Sequence, residues 1–290
     1  MKQALNHVLA IDIGNTRLKW ALHDGADWVA QGTRTTRDTI APSMLVEDWV
    51  QLQPHLAPNI SPRLPNLRAI ISNVADKAIT QVVISALRAI GCHESQLVTS
   101  QATQCGVRNG YANPSQLGTD RWLALIAAYA DMKRTVNNSG LAAYPQLVVM
   151  AGTALTIDAL SAKGDFLGGL IVPGATLMRA ALNHGTARLP AVAGDHEIFP
   201  TSTENAIATG AIEACLGAMQ RMHQTLKQRA GPNVITSASA SASASADVVC
   251  VASGGGMTYL ASHLSTLPFP VLIRDNLVLD GLIRMAYAIE

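Results

Sequence analysis

Residues 12 to 19, "DIGNTRLK", put a carboxylate, a glycine, an amide, a hydroxyl and two cations directly after the apolar run "VLAI". Such a turn suits phosphate, because glycine permits positive φ and close approach, so that successive backbone N–H groups converge on an anion. Asn15 and Thr16 add side-chain donors, and Lys19 adds a point positive charge. Asp12 would repel phosphate; its chemistry is to hold Mg²⁺ beside the phosphates, directly or through water. Alone, the same turn also reads as an Asn-containing hairpin with no ligand. A second turn, "AGTALTID" (151–158), brings Gly152, Thr153 and Thr156, with Asp158 close behind. A third, "SGGGM" (253–257), offers backbone that could lie against adenine or ribose. Two polar-lined turns with an acid nearby, one in each half of the chain, imply a nucleotide in an interdomain cleft. The competing phosphate motifs are missing: there is no G-x-x-x-x-G-K-[ST], and no G-x-G-x-x-G follows a strand in the required context.

The tetrapeptide "GTDR" (118–121) sits where loop passes into helix. In phosphoryl transfer to an alcohol, a carboxylate such as Asp120 can orient the hydroxyl and accept its proton. Arg121 could grip a substrate carboxylate through a bidentate pair. The alternative for these four residues alone is a capping aspartate beside a surface arginine.

The elements that must position these groups alternate between strand and helix. "VLAIDI" (8–13) and "TRLKWAL" (16–22) predict a buried strand and its partner, and "LRAIISNV" (67–74) a third strand. A helix through "ITQVVISALRAIG" (79–91) would stop at Gly91, and "QLVTS" (96–100) predicts another strand. Gly106 to Gly118 is loop-like, and "DRWLALIAAYADMKR" has helical periodicity. "QLVVMAGTALTIDAL" (146–160) repeats the strand–turn–strand pattern of residues 8 to 22, which implies two related domains. A long helix follows from Thr203, with Thr201 and Glu204 spaced for a capping box. "DVVCVASGGGMTYL" predicts strand, glycine turn and helix start. "SASASASASA" (237–246) is low-complexity and is expected to be a surface insertion without an assigned role. The expected fold class is α/β, with domains at 1–116 and 117–290.

Bulk composition narrows the function classes. A chain of 290 residues is long enough for about two domains, and 49% apolar with 14% charged residues marks it as globular. A net charge of +1, from scattered Lys and Arg, gives no electrostatic case for nucleic acid or an anionic membrane. Asp12 interrupts the N-terminal segment before a signal-peptide core develops, and no 18-residue apolar span lacks charge. A soluble cytoplasmic protein is therefore expected. Cys92, Cys105, Cys215 and Cys250 form no C-x-x-C pair, which favours isolated thiols over zinc or disulfides.

Together and in this order, "DIGNTRLK", "GTDR", "AGTALTID" and "GGLIVPG" (168–174) resemble the type III pantothenate kinases of the acetate and sugar kinase, actin and heat-shock ATPase superfamily. The resemblance runs from Asp12 to at least Gly256. It implies two ribonuclease H-like (actin-like ATPase) domains, ATP with Mg²⁺, and phosphorylation of the primary hydroxyl of pantothenate to 4'-phosphopantothenate, the first step of coenzyme A synthesis. It also implies a homodimer. Carried onto matching positions, the first phosphate loop is Asp12, Ile13, Gly14, Asn15, Thr16, Arg17, Leu18 and Lys19, and Thr153 lies in the second. Asp120 becomes the general base, with Gly118, Thr119 and Arg121 lining the pantothenate pocket. Tyr111 matches an aromatic substrate contact, and Thr203 a threonine near the substrate at a dimer interface. Met150 stands where many members carry an aspartate that binds K⁺ or NH₄⁺; a thioether is a poor ligand for so hard a cation, which counts against monovalent activation. The rival expectations are another small-molecule kinase of the superfamily and a nucleotide-binding regulatory protein without turnover.

Overall fold

Val8, Leu9, Ala10 and Ile11 are all fully buried, as a continuous apolar run must be when a strand is covered on both faces. They form the centre of β1 (His7–Ile13), after which the chain runs β2 (Arg17–His23), β3 (Trp28–Thr35), α1 (Pro42–Val50), β4 (Leu67–Asn73), α2 (Lys77–Ala89) and β5 (Glu94–Leu97). Then come β6 (Thr103–Gln104), β7 (Val107–Asn109), α3 (Thr119–Ser139), β8 (Gln146–Ala151), β9 (Ala154–Leu160) and β10 (Asp165–Pro173). The remaining elements are α4 (Ala175–Gly185), α5 (Thr203–Ala230), β11 (Val249–Ser253), the single turn α6 (Met257–Leu260), β12 (Val271–Ile273) and α7 (Leu277–Ala288). This computed structural model describes residues 7–39, 41–52, 67–185, 194–230 and 247–288. The Ser-Ala tract at 237–246 lies outside the described residues.

The chain divides into two compact units, one of residues 1–105, 111–127 and 277–290, the other of 106–110 and 128–276. The division is not a single cut near 116/117: the start of α3 and all of α7 belong with the first unit.

In the first unit the strand order is β3-β2-β1-β4-β5. β1, β2 and β3 pair antiparallel, whereas β4 and β5 continue the sheet in parallel. Leu9, Ile11, Trp20, Trp49, Ile71 and Leu87 gather in its core. Asp76 caps α2 by accepting from the Ala78 amide at 2.8 Å, and Gly91, at φ +82°, follows its last turn as the sequence predicts. The ladder of β5 covers 94–97 rather than 96–100; Val98 still donates to the Ile71 carbonyl at 2.8 Å. α7 packs against β1, β4 and β2.

The second unit repeats that plan. Its strands run β12-β11-β8-β9-β10-β7 within a seven-stranded sheet. Read from β10, the order β10-β9-β8-β11-β12 has the strand directions of β3-β2-β1-β4-β5, three antiparallel and then two parallel. Self-similarity in the sequence is thus self-similarity of topology, and the fold is α/β with two ribonuclease H-like sheets. α5 lies on β8 and β9 and buries Cys215, Leu216 and Met219. Its cap is Ser202 and not the expected Thr201: Ser202 Oγ accepts from the Asn205 amide at 3.2 Å and its carbonyl from the Ala206 amide at 2.9 Å. Residues 106–118, expected as loop throughout, contain β7 and a 3₁₀ turn at Pro114–Gln116.

Candidate active site

Ligand sites in open α/β sheets gather at the carboxyl ends of central strands. Asp12 is the last residue but one of β1 and lies in register with Lys19 on β2 and Ser72 on β4. Its pKa is pushed up to about 7, first by burial and then by the negative charge of Asp120; Lys19 and a hydrogen bond from Ser72 oppose the shift. The Oδ1 atom of Asp12 is buried with no hydrogen-bond partner. A buried acceptor left open, repelled by a second carboxylate, fits a cation. Among the described residues no cluster of three or more His, Cys, Asp or Glu is arranged to hold a metal. One open carboxylate oxygen suits Mg²⁺, which takes one or two carboxylates and completes its shell with phosphate and water.

The turn after Asp12 is held from behind. The Gly14 amide donates to the Arg17 carbonyl at 3.0 Å, while the Thr36 amide donates to the Thr16 carbonyl at 2.9 Å. Thr36 Oγ1 donates to the Gly14 carbonyl at 2.6 Å. With these carbonyls engaged on the protein side, Asn15, Thr16 and Arg17 stand exposed. Ile13 and Leu18 are core residues with no exposed surface, so that only their backbone belongs to a ligand-facing turn.

A second feature of the first unit is the segment leading into α3. Asn113 Oδ1 accepts from the Ser115 amide at 3.2 Å and opens the 3₁₀ turn. Ser100 Oγ donates to the Leu117 carbonyl at 2.8 Å, fixing the residue before Gly118. Asp120 Oδ1 accepts from the Arg121 amide at 2.8 Å. Burial raises the pKa of Asp120, against the lowering effects of that hydrogen bond and of the Arg121 charge. A Cβ at Gly118 would lie 2.7 Å from Asp120 Oδ1, so the carboxylate takes this position because residue 118 has no side chain. Arg121 is 4% exposed, which rules out a surface arginine. Its Nη1 donates to Tyr111 Oη at 3.0 Å, with the guanidinium 5.8 Å from the Tyr111 ring centroid. Thr119 Oγ1 is 2.9 Å from Ser72 Oγ. "DIGNT", "GTDR" and Tyr111 therefore all lie in one unit, and Ser72 touches both motifs. Neither Ser72 nor Thr36 is marked by the sequence reading. For Ser72 the only signal in the sequence is a hydroxyl near the end of an apolar strand; Thr36 follows the polar strand β3 among other threonines and carries none.

In the second unit, three glycine-bearing segments pack backbone against backbone. The Gly174 amide donates to the Thr153 carbonyl at 2.9 Å, and the Gly256 amide to the Ala151 carbonyl at 2.8 Å. A Cβ at Gly174 would meet the Gly152 carbonyl oxygen at 2.4 Å. These segments border a depression lined by Gly152, Gly174, Thr176, Gly256 and Tyr259. Gly152, in its lining, and the neighbouring Thr153 are exposed. Asp158 is 1% exposed inside β9, in register with Val148 and Gly169, and so stands away from the turn. Met150 pairs with Thr156 on β9 and Ser253 on β11. Thr203 is exposed and opens α5.

A repeated ribonuclease H-like sheet, with a polar turn after the first strand of each copy and two half-buried aspartates, Asp12 and Asp120, in the first, defines a phosphate-handling α/β protein of the kinase type. The comparisons with known proteins make this specific. The family model described as type III pantothenate kinase matches residues 8–225. A type III pantothenate kinase of Nitrosospira multiformis is 39% identical over 281 residues, covering 96% of this chain and 90% of the relative. Those of Dechloromonas aromatica and Aromatoleum aromaticum are 36% and 38% identical over 96% of this chain, and 98% and 97% of their own lengths are covered. The chain belongs to the type III pantothenate kinase family. Among solved structures, a Baf-family protein of Campylobacter jejuni, described as a transcriptional activator, matches with TM-score 0.50 at 16% identity, covering 97% of this chain and 98% of that one. At that identity the match speaks for the fold alone.

Proposed function

We propose that this protein uses ATP to phosphorylate the primary hydroxyl of pantothenate, giving 4'-phosphopantothenate at the entry to coenzyme A synthesis. The observation that carries the reading is that Ser72, in register beside Asp12, has its Oγ 2.9 Å from Thr119 Oγ1, so that "DIGNT" and "GTDR" meet in one unit, where burial raises both Asp12 and Asp120. Asp12 would hold Mg²⁺, and Asn15, Thr16, Arg17 and Lys19 would face the phosphates with the turn's amides. When bound, the cation supplies charge neutralisation at the phosphate oxygens. Asp120 orients the acceptor hydroxyl and takes its proton; a carboxylate raised from its ordinary range is a better proton acceptor near neutral pH. Gly118, Thr119, Arg121 and Tyr111 line the pantothenate pocket, with Arg121 and Tyr111 held together by their hydrogen bond. Thr153 and the glycine segments around it serve the nucleotide in the second unit.

The protein acts as a cytoplasmic homodimer on this reading. Support for a partner comes from Ile198 and Phe199, 84% and 87% exposed, close in sequence to Thr203. Cys92, Cys105, Cys215 and Cys250 carry free thiols. Among the described residues no helix is long and apolar enough to cross a membrane. Met150, with the hydroxyl residues Thr156 and Ser253 in register beside it, brings no carboxylate to the place where a K⁺ or NH₄⁺ ligand would stand. Activity should therefore be independent of monovalent cations.

The test is an assay of the purified protein with Mg-ATP and pantothenate, with and without K⁺ or NH₄⁺, the product identified by mass. Formation of phosphopantothenate in all three conditions is expected. Phosphorylation of a sugar or acetate with pantothenate inert would transfer the site to another acceptor, and ATP binding without product from any acceptor would overturn the enzymatic reading.

A further inference from the structure

Glycine is the poorest residue after proline for the interior of a helix, yet Gly281 sits buried inside α7. Its place has a steric reason. A Cβ there would overlap the carbonyl oxygen of Leu123 and lie 2.7 Å from the carbonyl carbon and 2.9 Å from the Cα of the same residue. The backbone of α7 therefore touches the backbone of α3 about one turn after Asp120. Both stretches belong to the first unit. α7 is in turn fixed to the sheet. Trp28 of β3 donates its Nε1–H to Asp280 Oδ1 at 3.2 Å, beside Gly281, and Arg68 of β4 donates to the Ala286 carbonyl at 2.8 Å. The Tyr287 ring lies 5.6 Å from that of His23 on β2, and Leu277, Leu279, Leu282 and Met285 are buried. We propose that α7 is the seat of the helix that carries Asp120, and that Gly281 is a positioning residue whose missing side chain sets where the first turn of α3 lies. The inference rests on the reading of Asp120 as the proton acceptor. Carbon atoms in contact lie about 3.5–4.0 Å apart, so an alanine at 281 forces the two backbones apart by about 1 Å. With α7 bonded to two strands and its apolar face buried, the displacement falls on α3 and on Asp120.

The experiment is a kinetic cycle on the purified protein with Mg-ATP and pantothenate, each varied while the other is saturating. Gly281→Ala should lower kcat roughly 10- to 100-fold, the effect of misplacing an aligned group by about 1 Å, and leave the KM for ATP within about twofold of wild type. In an Asp120→Asn background the same alanine should cost nothing further, because a residue that acts only through Asp120 loses its effect with that carboxylate. A merely structural glycine would lower both backgrounds alike. Should Gly281→Ala not fold, as judged by circular dichroism, Trp28→Phe, which removes the bond holding α7 beside residue 281, takes its place. A smaller fall in kcat, about 3- to 10-fold, is then expected, again absent from Asp120→Asn. A kcat within twofold of wild type, or an equal loss in both backgrounds, overturns the inference while leaving the site reading intact. Turnover by Asp120→Asn close to wild type overturns the site reading and the inference together.

Discussion

A single methyl group at residue 118 tests whether the position of Asp120 matters. In Gly118→Ala the new Cβ would lie 2.7 Å from Asp120 Oδ1, about 0.7 Å short of ordinary van der Waals contact. The next side chain, Val74, is at a comfortable 3.9 Å, and residue 118 needs no left-handed backbone. The carboxylate, at the end of a short side chain, is the group that must move. Its hydrogen bond from the Arg121 amide, now 2.8 Å, stretches beyond useful length if Oδ1 retreats along that line. Loss of that helix-start bond should cost about 1 kcal/mol of stability. The catalytic loss should be larger, since displacing an aligned group by about 1 Å costs as much as 10²-fold. The expected result is a kcat about 10- to 100-fold lower, with the KM for ATP unchanged because the first phosphate turn is untouched. Steady-state kinetics with coupled ADP detection read both. A kcat within twofold of wild type would refute the claim that Asp120 needs this placement.

Other perturbations reach different parts of the site. Thr36→Val removes the hydroxyl that holds the Gly14 carbonyl and keeps the shape; the KM for ATP should rise about 5- to 10-fold, the loss of one hydrogen bond, with that for pantothenate unchanged and Thr36→Ser restoring it. Gly174→Ala forces a Cβ to within 2.4 Å of the Gly152 carbonyl oxygen; thermal denaturation should report about 1–3 kcal/mol of destabilisation, with weakened binding of a fluorescent ATP analogue. The raised pKa of Asp12, about 7 in the folded protein against an ordinary 3.8, gives a pH dependence of definite sign. Between these values the folded metal-free protein keeps a proton that the unfolded chain releases, so this group's contribution to stability falls as pH rises through the window and is level above it. Thermal melts in EDTA from about pH 5 to about pH 8 should show that slope, and Asp12→Asn should flatten it. Mg²⁺ needs the ionised carboxylate, so its stabilising effect should grow across the same range.

Much of the fold could be read in advance because β1 and β8 are covered on both faces and appear as unbroken apolar runs, each followed by a small polar turn. That pairing of turns is the mark the duplication leaves in the sequence. β10 was harder to see: Gly168 and Gly169 lie within it, and glycine carries no strand preference. β12 has only three residues, too few for a period. Apolar spacing in α7 says that it packs but not on which sheet, and its place against β1, β4 and β2 is a tertiary fact. The cap at Ser202 instead of Thr201 is a choice between neighbouring hydroxyls that only backbone geometry settles. The same holds in the site. Asp12, Asp120 and Arg121 stood out by chemistry, whereas Ser72 and Thr36 act through bonds to residues 47 and 22 positions away. Asp158 stood out by proximity in sequence, yet strand geometry carries it into the sheet and away from the turn.

The most direct measurement is the single-turnover rate of phosphopantothenate formation by Asp120→Asn with both substrates saturating. A rate reduced roughly 10²- to 10⁴-fold, the range of general base catalysis, with calorimetric binding of pantothenate and nucleotide retained, is the predicted result. A rate close to wild type would contradict the assignment of proton transfer to this carboxylate.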